Sequence, residues 1–430
     1  MAPKRMTFRL RKIPPDGTLR SCLNNRLPRN PEYCRNMCPE NRTAAGKQSL
    51  GFLYLKSGGG HVSAAKSMAR TLTDNYPDEA DVHLFDPVPG THRMLAFLLE
   101  EGYRIASMKL SGLWILIYDI SRLPFVQNLW NYLTYLVIRK NLSAFLRDRN
   151  ITKLVLFHFL LIKPVRYVLS DLGLSTPVIT VVTDPFTAHP MWFSQKTMQT
   201  VVFSGRLKSW CVNARGMKES RVRVFSPVIS SRFTRIYREA ENADFKRKLG
   251  LDPEKKLVLL TGGGEGIPRA RRLLRAWLHA APEAGLALVC GKDEALKQAL
   301  TKMVSACHRG GKNRESEIIV LGFIDFMPEL MAASDLVIAK AGPATVFETL
   351  TAGKPLIIYG YIYGQERGNL DFILRRKAGF YMPKISSLAA LAGALVTDLG
   401  RLEVLGRNSL HAKPASDLDA LAGFIFSLNN

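Results

Sequence analysis

The decisive stretch of this chain reads Gly342-Pro343-Ala344-Thr345-Val346-Phe347-Glu348. It follows an apolar run at residues 335–340, which is typical of a buried parallel strand, and an amphipathic stretch at residues 346–352 predicts a helix. A turn between a strand and a helix exposes backbone N–H groups at the positive end of the helix dipole, which favours a phosphate. The carboxylate of Glu348, one turn into the helix, suits a diol such as a ribose. The stretch therefore predicts a sugar-nucleotide site.

Strands and helices alternate along most of the chain. In the first half, short apolar runs predict strands at residues 51–55, 81–85, 154–157, 178–182, 200–203 and 221–225. A second series follows residue 227, with runs at residues 256–260, 286–290, 318–321, 336–339 and 355–359. Such alternation indicates parallel sheets covered by helices on both faces. We therefore predict an α/β protein with two doubly wound domains, residues 47–228 and 229–430, whose last helix packs back on the first domain.

The charge of the chain favours anionic partners. Sixty Lys and Arg residues against 36 Asp and Glu give a formal net charge of +24, and hydrophobic residues make up 47%. The excess charge is spread along the chain and no nucleic-acid motif accompanies it, so we expect an anionic lipid surface and no nucleic acid. Residues 1–46 are basic, lack periodicity and predict a disordered tail.

The cysteines and the apolar segments indicate which cellular compartment the sequence favours. Six cysteines in 430 residues are too sparse for a disulfide framework and favour a reducing compartment. Cys34 and Cys38 lack a nearby His pair, which makes zinc a weak alternative. The first 46 residues contain no apolar run of signal-peptide length. The longest apolar zone, residues 110–137, is interrupted by charged and amide residues and does not predict a membrane-spanning helix.

A glycine run precedes a candidate general base in the first domain. Gly59 and Gly60 follow the first strand and lead into His61 at the start of a helix. Glycines let a ligand or another chain segment approach the backbone closely. A helix amino terminus disfavours the charged imidazolium, and a neutral imidazole is what a general base requires. The alternative is a tight turn with an exposed histidine.

Another strand of the same domain ends at Asp184, which should therefore lie on the same rim as His61. Asp184 could orient His61 or assist an acceptor hydroxyl, and the alternative is a turn cap. The loop that follows contains His189, Pro190 and Trp192. An aromatic rim loop suits a hydrophobic acceptor, although the pattern fits core packing equally well.

Aromatic and basic residues border an apolar stripe between residues 94 and 140. Leu129, Leu133, Leu136 and Val137 share one helical face. This pattern is typical of an interfacial helix that lies on a bilayer. The alternative is an ordinary helix that faces the core.

Two further polar or glycine-rich turns follow strands of the second domain. Gly263 and Gly264 belong to the glycine run 262–264, which mirrors the run in the first domain. Gln365, Glu366 and Asn369 follow the strand after the Glu348 helix and offer both donors and acceptors, as a hexose requires. The alternative for this segment is a polar turn.

The ordered set of these motifs resembles the monogalactosyldiacylglycerol synthase and processive diacylglycerol glucosyltransferase group, which is similar to glycosyltransferase family 28. The matching segments span roughly residues 50–385 and are residues 57–61, 183–184 with 189–193, 262–266, 322–323, 340–345 with Glu348, and 364–369.

The resemblance implies a two-domain GT-B fold, with the acceptor on the first domain and a UDP-sugar on the second. By similarity, His61 is the base or an acceptor-site residue, and the Pro190 loop with Trp192 lies toward diacylglycerol. The implied donor contacts run from uracil to hexose. They are Gly322 and Phe323 on uracil, Ala341, Gly342, Pro343, Ala344 and Thr345 on the diphosphate, Glu348 on ribose, and Gln365 and Glu366 on the hexose.

The resemblance also implies an inverting transfer of galactose or glucose to the 3-hydroxyl of diacylglycerol, with a peripheral location on the cytoplasmic membrane face. A helix terminus and Lys340 could stabilise the leaving diphosphate, so we expect no metal and no cofactor. The lone Asp-x-Asp motif, residues 417–419, lies in the last helical segment instead of at a strand end. Alternatives are a different lipid or polyprenyl acceptor, or a non-catalytic binding protein. The sequence leaves the hexose open.

Overall fold

The computed structural model describes residues 47–56, 59–88, 111–264, 266–280, 282–309, 317–415 and 417–428. The predicted tail, residues 1–46, lies outside these ranges, as do Cys34, Cys38 and the segment 94–110 of the aromatic zone.

The first half of the described chain forms a six-stranded parallel sheet. Its strands are β1 (Gln48–Leu53), β2 (Ala80–Phe85), β3 (Lys153–Leu156), β4 (Val178–Val181), β5 (Gln199–Val202) and β6 (Val222–Val224). Their order is β2-β1-β3-β4-β5-β6, and every neighbouring pair is parallel. All residues of β3 and β4 are buried, which explains why most of their side chains are apolar.

The second half forms another six-stranded parallel sheet. Its strands are β7 (Leu257–Thr261), β8 (Gly285–Val289), β9 (Ile318–Leu321), β10 (Leu336–Lys340), β11 (Leu356–Gly360) and β12 (Gly379–Tyr381). Their order is β12-β11-β10-β7-β8-β9. The two sheets confirm the α/β, doubly wound class that the alternation predicted.

Helices connect the strands in both halves. The first half contains α1 (Gly59–Asn75), α2 (Ser111–Ile120), α3 (Pro124–Asp148), α4 (Ile162–Asp171) and α5 (Gly205–Arg215). They are followed by α6 (Glu239–Lys248), α7 (Ala270–Ala280), α8 (Glu294–Arg309), α9 (Met327–Ala333), α10 (Pro343–Thr351), α11 (Arg367–Arg375), α12 (Ile385–Thr397), α13 (Leu399–Ala412) and α14 (Leu418–Ser427). Within the described part of the chain, no helix has both the length and the apolar character needed to cross a bilayer.

The last helix lies on the first half of the molecule. Leu421 and Ile425 of α14 are fully buried in the same cluster as Met68 and Leu72 of α1.

The chain passes from the first sheet to the second between the end of β6 and the start of β7. The division of function at residues 228 and 229 stays a prediction.

Candidate active site

Three loops of the second sheet meet at the carboxyl ends of neighbouring strands. The sheet order places β7, β10 and β11 side by side, so the loops that follow them share one edge. Ligands of open α/β sheets bind at this edge. The three loops and the start of the following helix carry most of the predicted donor residues, namely Gly263, Gly264, Ala341, Gly342, Pro343, Ala344, Thr345, Gln365 and Glu366.

The amino end of α10 offers backbone N–H groups beside a cation. Gly342 is the N-cap residue, and no side-chain hydrogen bond caps the helix. Pro343 occupies the first helical position, so the helix begins three residues before the predicted start at Val346. The N–H groups of Ala344 and Thr345 have no acceptor within the helix. Because Lys340 Nζ lies 3.6 Å from where a Cβ of Gly342 would stand, the turn suits a diphosphate.

Glu366 holds this cation in place. Its Oε1 accepts a hydrogen bond from Lys340 Nζ at 2.8 Å, and its Oε2 accepts one from the Ile362 backbone N–H at 2.8 Å. Glu366 is only 4% exposed. Both of its oxygens are therefore bonded to the protein, and its contact with a hexose stays a prediction.

Asn369 supports the phosphate turn from beneath. Its Nδ2 donates to the Ala341 carbonyl oxygen at 2.8 Å, and the residue is 1% exposed. Its Oδ1 is buried and has no partner among the described residues. The structure thus gives Asn369 a positioning role through its Nδ2, and its direct contact with the donor stays a prediction.

The glycine run after β7 folds too tightly to carry side chains. A Cβ on Gly262 would lie 2.0 Å from the carbonyl oxygen of Gly266, and Gly263 adopts φ +84°. The backbone of the two halves comes close here, since a Cβ on Gly59 would lie 3.6 Å from the backbone nitrogen of Gly264. This approach between the two glycine runs brings the base and donor turns together.

Glu348 lies inside α10 and is partly buried. Burial raises the pKa of its carboxyl group to about 7. No hydrogen bond or ion pair among the described residues uses this carboxyl group, so it can accept a ribose hydroxyl. The ribose contact itself stays a prediction.

Gly322 and Phe323 lie at the far end of the same sheet edge. They follow β9, which is three strands from β10 and hence about 14 Å away at about 4.8 Å per strand. Phe323 is 68% exposed. This separation fits a base at one end of a nucleotide and a diphosphate at the other, and the uracil contact stays a prediction.

His61 stands at the start of α1, on the first half of the molecule. Its Nδ1 lies 2.7 Å from Thr183 Oγ1. Burial lowers the pKa of His61 to about 4, against a weaker opposing effect of a hydrogen bond to the Phe157 backbone. The ring is therefore neutral at pH 7. The neutral ring carries one N–H and one nitrogen lone pair, and the nitrogen with the lone pair is the one that can take a proton.

The loop after β4 differs from its predicted arrangement. Asp184 accepts a hydrogen bond from Trp192 Nε1 at 3.0 Å, and its neighbour Thr183, in place of Asp184, contacts the His61 imidazole. Burial, with a further contribution from the charge of Glu366, raises the pKa of Asp184 to about 7, and the Trp192 bond opposes this.

The predicted acceptor residues His189, Pro190 and Trp192 are buried in the first half. His189 is 2% exposed and Trp192 is 1% exposed. His189 Nε2 lies 3.0 Å from Ser121 Oγ. Of the two interpretations of this loop, the burial favours core packing, and direct contact of these three side chains with an acceptor stays a prediction.

Sequence reasoning missed His158 and the role of Thr183. His158 is 3% exposed, and its ring centroid lies 4.7 Å from that of His61, with the rings edge to face. The available signal was position: His158 follows β3 closely, so it reaches the same carboxyl edge that led us to Asp184.

The described residues contain no group of three or more His, Cys, Asp or Glu side chains that could hold a metal ion. Asp417 instead bonds the Ser226 backbone N–H with both carboxylate oxygens, at 3.0 Å each. Whether the reaction needs a metal or a cofactor stays a prediction.

Solved structures share this fold. MurG of Acinetobacter baumannii matches 89% of the chain and 100% of its own chain, at a TM-score of 0.54 and 14% identity. WaaG, a glycosyltransferase involved in lipopolysaccharide biosynthesis, matches 88% of the chain and 98% of its own, at a TM-score of 0.52 and 15% identity. The two sheets and the cleft-edge loops thus define a GT-B fold.

Sequence comparisons relate both halves of the chain to known glycosyltransferases. Residues 61–229 match the family model described as monogalactosyldiacylglycerol (MGDG) synthase, and residues 257–369 match the glycosyltransferase family 28 C-terminal domain. The chloroplastic monogalactosyldiacylglycerol synthase of Spinacia oleracea is 26% identical over 86% of this chain and 72% of its own length. Monogalactosyldiacylglycerol synthase 1 of Arabidopsis thaliana is 26% identical over 84% and 68%. The chain is therefore similar to monogalactosyldiacylglycerol synthases over most of its length, the group of glycosyltransferases that its motifs resemble.

Proposed function

We propose that this glycosyltransferase moves a hexose, galactose or glucose, from a UDP-sugar to the 3-hydroxyl of diacylglycerol. The observation that carries the proposal is the cleft, in which a neutral His61 faces a second half with an anion-binding turn. The names of the curated relatives support diacylglycerol as the acceptor. UDP-sugar as the donor is supported by the free N–H groups of α10, the adjacent Lys340 and the carboxyl group of Glu348.

The chemistry proceeds as a single displacement at the sugar C1. His61 accepts the proton of the attacking hydroxyl, because its lowered pKa keeps the ring neutral. The bond from C1 to the diphosphate oxygen breaks as the new glycosidic bond forms, which inverts the anomeric carbon. The amino end of α10 and Lys340 stabilise the negative charge that develops on the departing UDP.

A donor-by-acceptor panel tests this proposal. Labelled UDP-galactose and UDP-glucose are each incubated with vesicles that contain diacylglycerol or a polyprenyl phosphate, and the products are identified. We expect labelled glycosyl-diacylglycerol from at least one donor. Label in the polyprenyl product alone would identify another acceptor, and tight UDP binding without any product would indicate a non-catalytic binding protein.

We also propose that the protein binds the membrane that contains its acceptor, as a peripheral protein on the cytoplasmic face. An apolar surface on α2 and α3 supports this. Its exposed side chains are Leu113, Leu116, Ile117, Ile120, Leu123, Phe125, Leu129, Tyr132, Leu133 and Leu136, between 38% and 70% exposed. Basic side chains such as Arg122 and Arg139 border this surface, which favours an anionic bilayer.

Cosedimentation with anionic vesicles tests the membrane proposal. We expect the wild type to sediment with vesicles. Phe125→Ser combined with Leu129→Ser should reduce the bound fraction several-fold, because two exposed apolar side chains that would insert into the bilayer are lost. Ile236→Ser is the matched control, since Ile236 is 92% exposed outside this surface. A wild type that stays in the supernatant, or a double variant that binds as well as wild type, would refute the proposal.

A further inference from the structure

The loop that carries Gln365 is held by the opposite half of the molecule. Three consecutive carbonyl oxygens of this loop each accept a side-chain hydrogen bond from the first half. Trp114 Nε1 donates to Tyr363 O at 3.2 Å, and Tyr118 Oη donates to Gly364 O at 3.1 Å. Thr187 Oγ1 donates to Gln365 O at 2.6 Å. From its own half, the Glu366 carboxylate closes the same turn.

The Tyr118 ring fits a space that only glycine leaves open. Gly364 adopts φ +82°, and a Cβ there would lie 2.2 Å from Tyr118 Cζ. Tyr118 is 7% exposed and Trp114 is 8% exposed, and both pack with Ile362 in a small cluster of their own. The contact is therefore a built interface between α2 and the loop.

The opposite face of the same helix belongs to the apolar surface. Leu113, Leu116, Ile117 and Ile120 of α2 point outward and are 41% to 56% exposed. At its end, Ser121 Oγ donates to the Tyr118 carbonyl oxygen at 2.6 Å and also lies 3.0 Å from His189 Nε2, which ties α2 to the first half. One helix of nearly three turns thus connects the surface proposed to meet the bilayer with the loop proposed to meet the hexose.

We propose that Trp114 and Tyr118 are positioning residues that hold the 363–365 loop for the donor hexose, and that α2 couples bilayer binding to hexose binding. The inference rests on the proposed function, since it takes Gln365 as a hexose contact and the α2–α3 surface as the membrane contact. Coupling of this kind is reciprocal: whatever orders α2 strengthens binding at the loop, and the donor strengthens membrane binding equally.

Calorimetric binding of UDP and of both UDP-hexoses tests the positioning role without requiring turnover. UDP lacks the hexose, so it reports the nucleotide site alone. We expect Tyr118→Phe to raise the Kd of the bound UDP-hexose about five- to tenfold, the effect of one lost hydrogen bond. The Kd of UDP should remain unchanged, and the melting temperature should fall by no more than about 2–4 °C, as one lost hydrogen bond predicts. Trp114→Phe should act in the same direction, and Tyr167→Phe, on α4, is the control.

The coupling is tested by repeating the titrations with vesicles of phosphatidylcholine and phosphatidylglycerol that contain no diacylglycerol. We expect vesicles to tighten UDP-hexose binding by the wild type, and this gain to be lost in Tyr118→Phe. The positioning role would be overturned if UDP and UDP-hexose binding weakened equally, if a fall in melting temperature accounted for the loss, or if neither variant changed binding. The coupling would be overturned if vesicles had no effect on UDP-hexose binding by the wild type. Failure of transfer to diacylglycerol in the panel would leave these binding results interpretable, so the two proposals fail separately.

Discussion

The surroundings of Glu348 and Asp184 destabilise the negatively charged form of their carboxyl groups. Burial raises the pKa of each to about 7, and the charge of Glu366 adds to the effect on Asp184. Strongly shifted carboxyl groups are concentrated at functional sites, because a ligand or a reacting group supplies what the free protein lacks. For Glu348 the missing partner is consistent with a ribose, whereas Asp184 already accepts a hydrogen bond from Trp192.

Replacing Glu348 by Gln should stabilise the protein and weaken UDP binding. The folded-state pKa, about 7, lies above the ordinary value of 4.5, so ionisation of Glu348 costs stability as pH rises from about 4.5 to 7. We expect the variant to be about 1–2 kcal/mol more stable than wild type at pH 8, after allowance for partial exposure, with no gain below pH 4. Its Kd for UDP should rise about tenfold.

Urea unfolding at several pH values and calorimetry with UDP provide these quantities. Glu283→Gln is the control, because Glu283 is exposed and should show neither effect. This account of Glu348 would be contradicted if Glu348→Gln were no more stable than wild type at pH 8, or if it bound UDP as tightly as wild type.

The sequence predicted which residues lie at the site. It did not predict which partner each of their side chains contacts. His61 and Asp184 were found because both follow strands and so reach one edge. Their hydrogen-bond partners, Thr183 and Trp192, were not found, because these contacts depend on how the loop packs. An aromatic pair in a loop after a strand has the same pattern whether it faces solvent or core, so the burial of Trp192 could not be predicted.

The last helix, α14, is the element that connects the end of the chain to the first sheet. Lys153, on β3, is 3% exposed, and its ammonium group donates to the carbonyl oxygens of Ile425 and Phe426 at 2.8 and 2.7 Å. Those carbonyls belong to the final turn of α14, where helix acceptors lack intrahelical partners. A buried lysine thus supplies the cap that the sequence of α14 itself does not contain.

Lys153→Met should loosen α14. It leaves one buried and one partly buried carbonyl oxygen without the lysine, which costs more than is regained by no longer burying an ammonium group. We expect a loss of about 2 kcal/mol in the free energy of unfolding and faster amide exchange in residues 421–428. Lys163→Met is the control, because Lys163 bonds Asn128 at the surface. Unchanged exchange in α14 would show that apolar packing alone holds the helix.

The molecule as a whole consists of two similar sheets whose loops meet across a cleft. Its architecture was predictable because strand and helix periodicities are local properties of the sequence. The closure of the cleft was not, because it depends on contacts between distant residues: Tyr118 and Gly364 are 246 positions apart. Phe186 likewise enters the second half, where a Cβ on Gly368 would lie 2.5 Å from its side chain.

The central claim is that His61 of one half takes the proton of the acceptor hydroxyl that attacks a sugar held by the other half. The most direct measurement compares transfer of labelled hexose from the UDP-sugar to diacylglycerol by wild type and by His61→Ala, with UDP binding measured on the same preparations. His279→Ala, an exposed histidine on α7, is the control. The account predicts that transfer by His61→Ala falls by about 10²- to 10⁴-fold while the Kd for UDP stays within about twofold of wild type. Near-normal transfer by His61→Ala would contradict it.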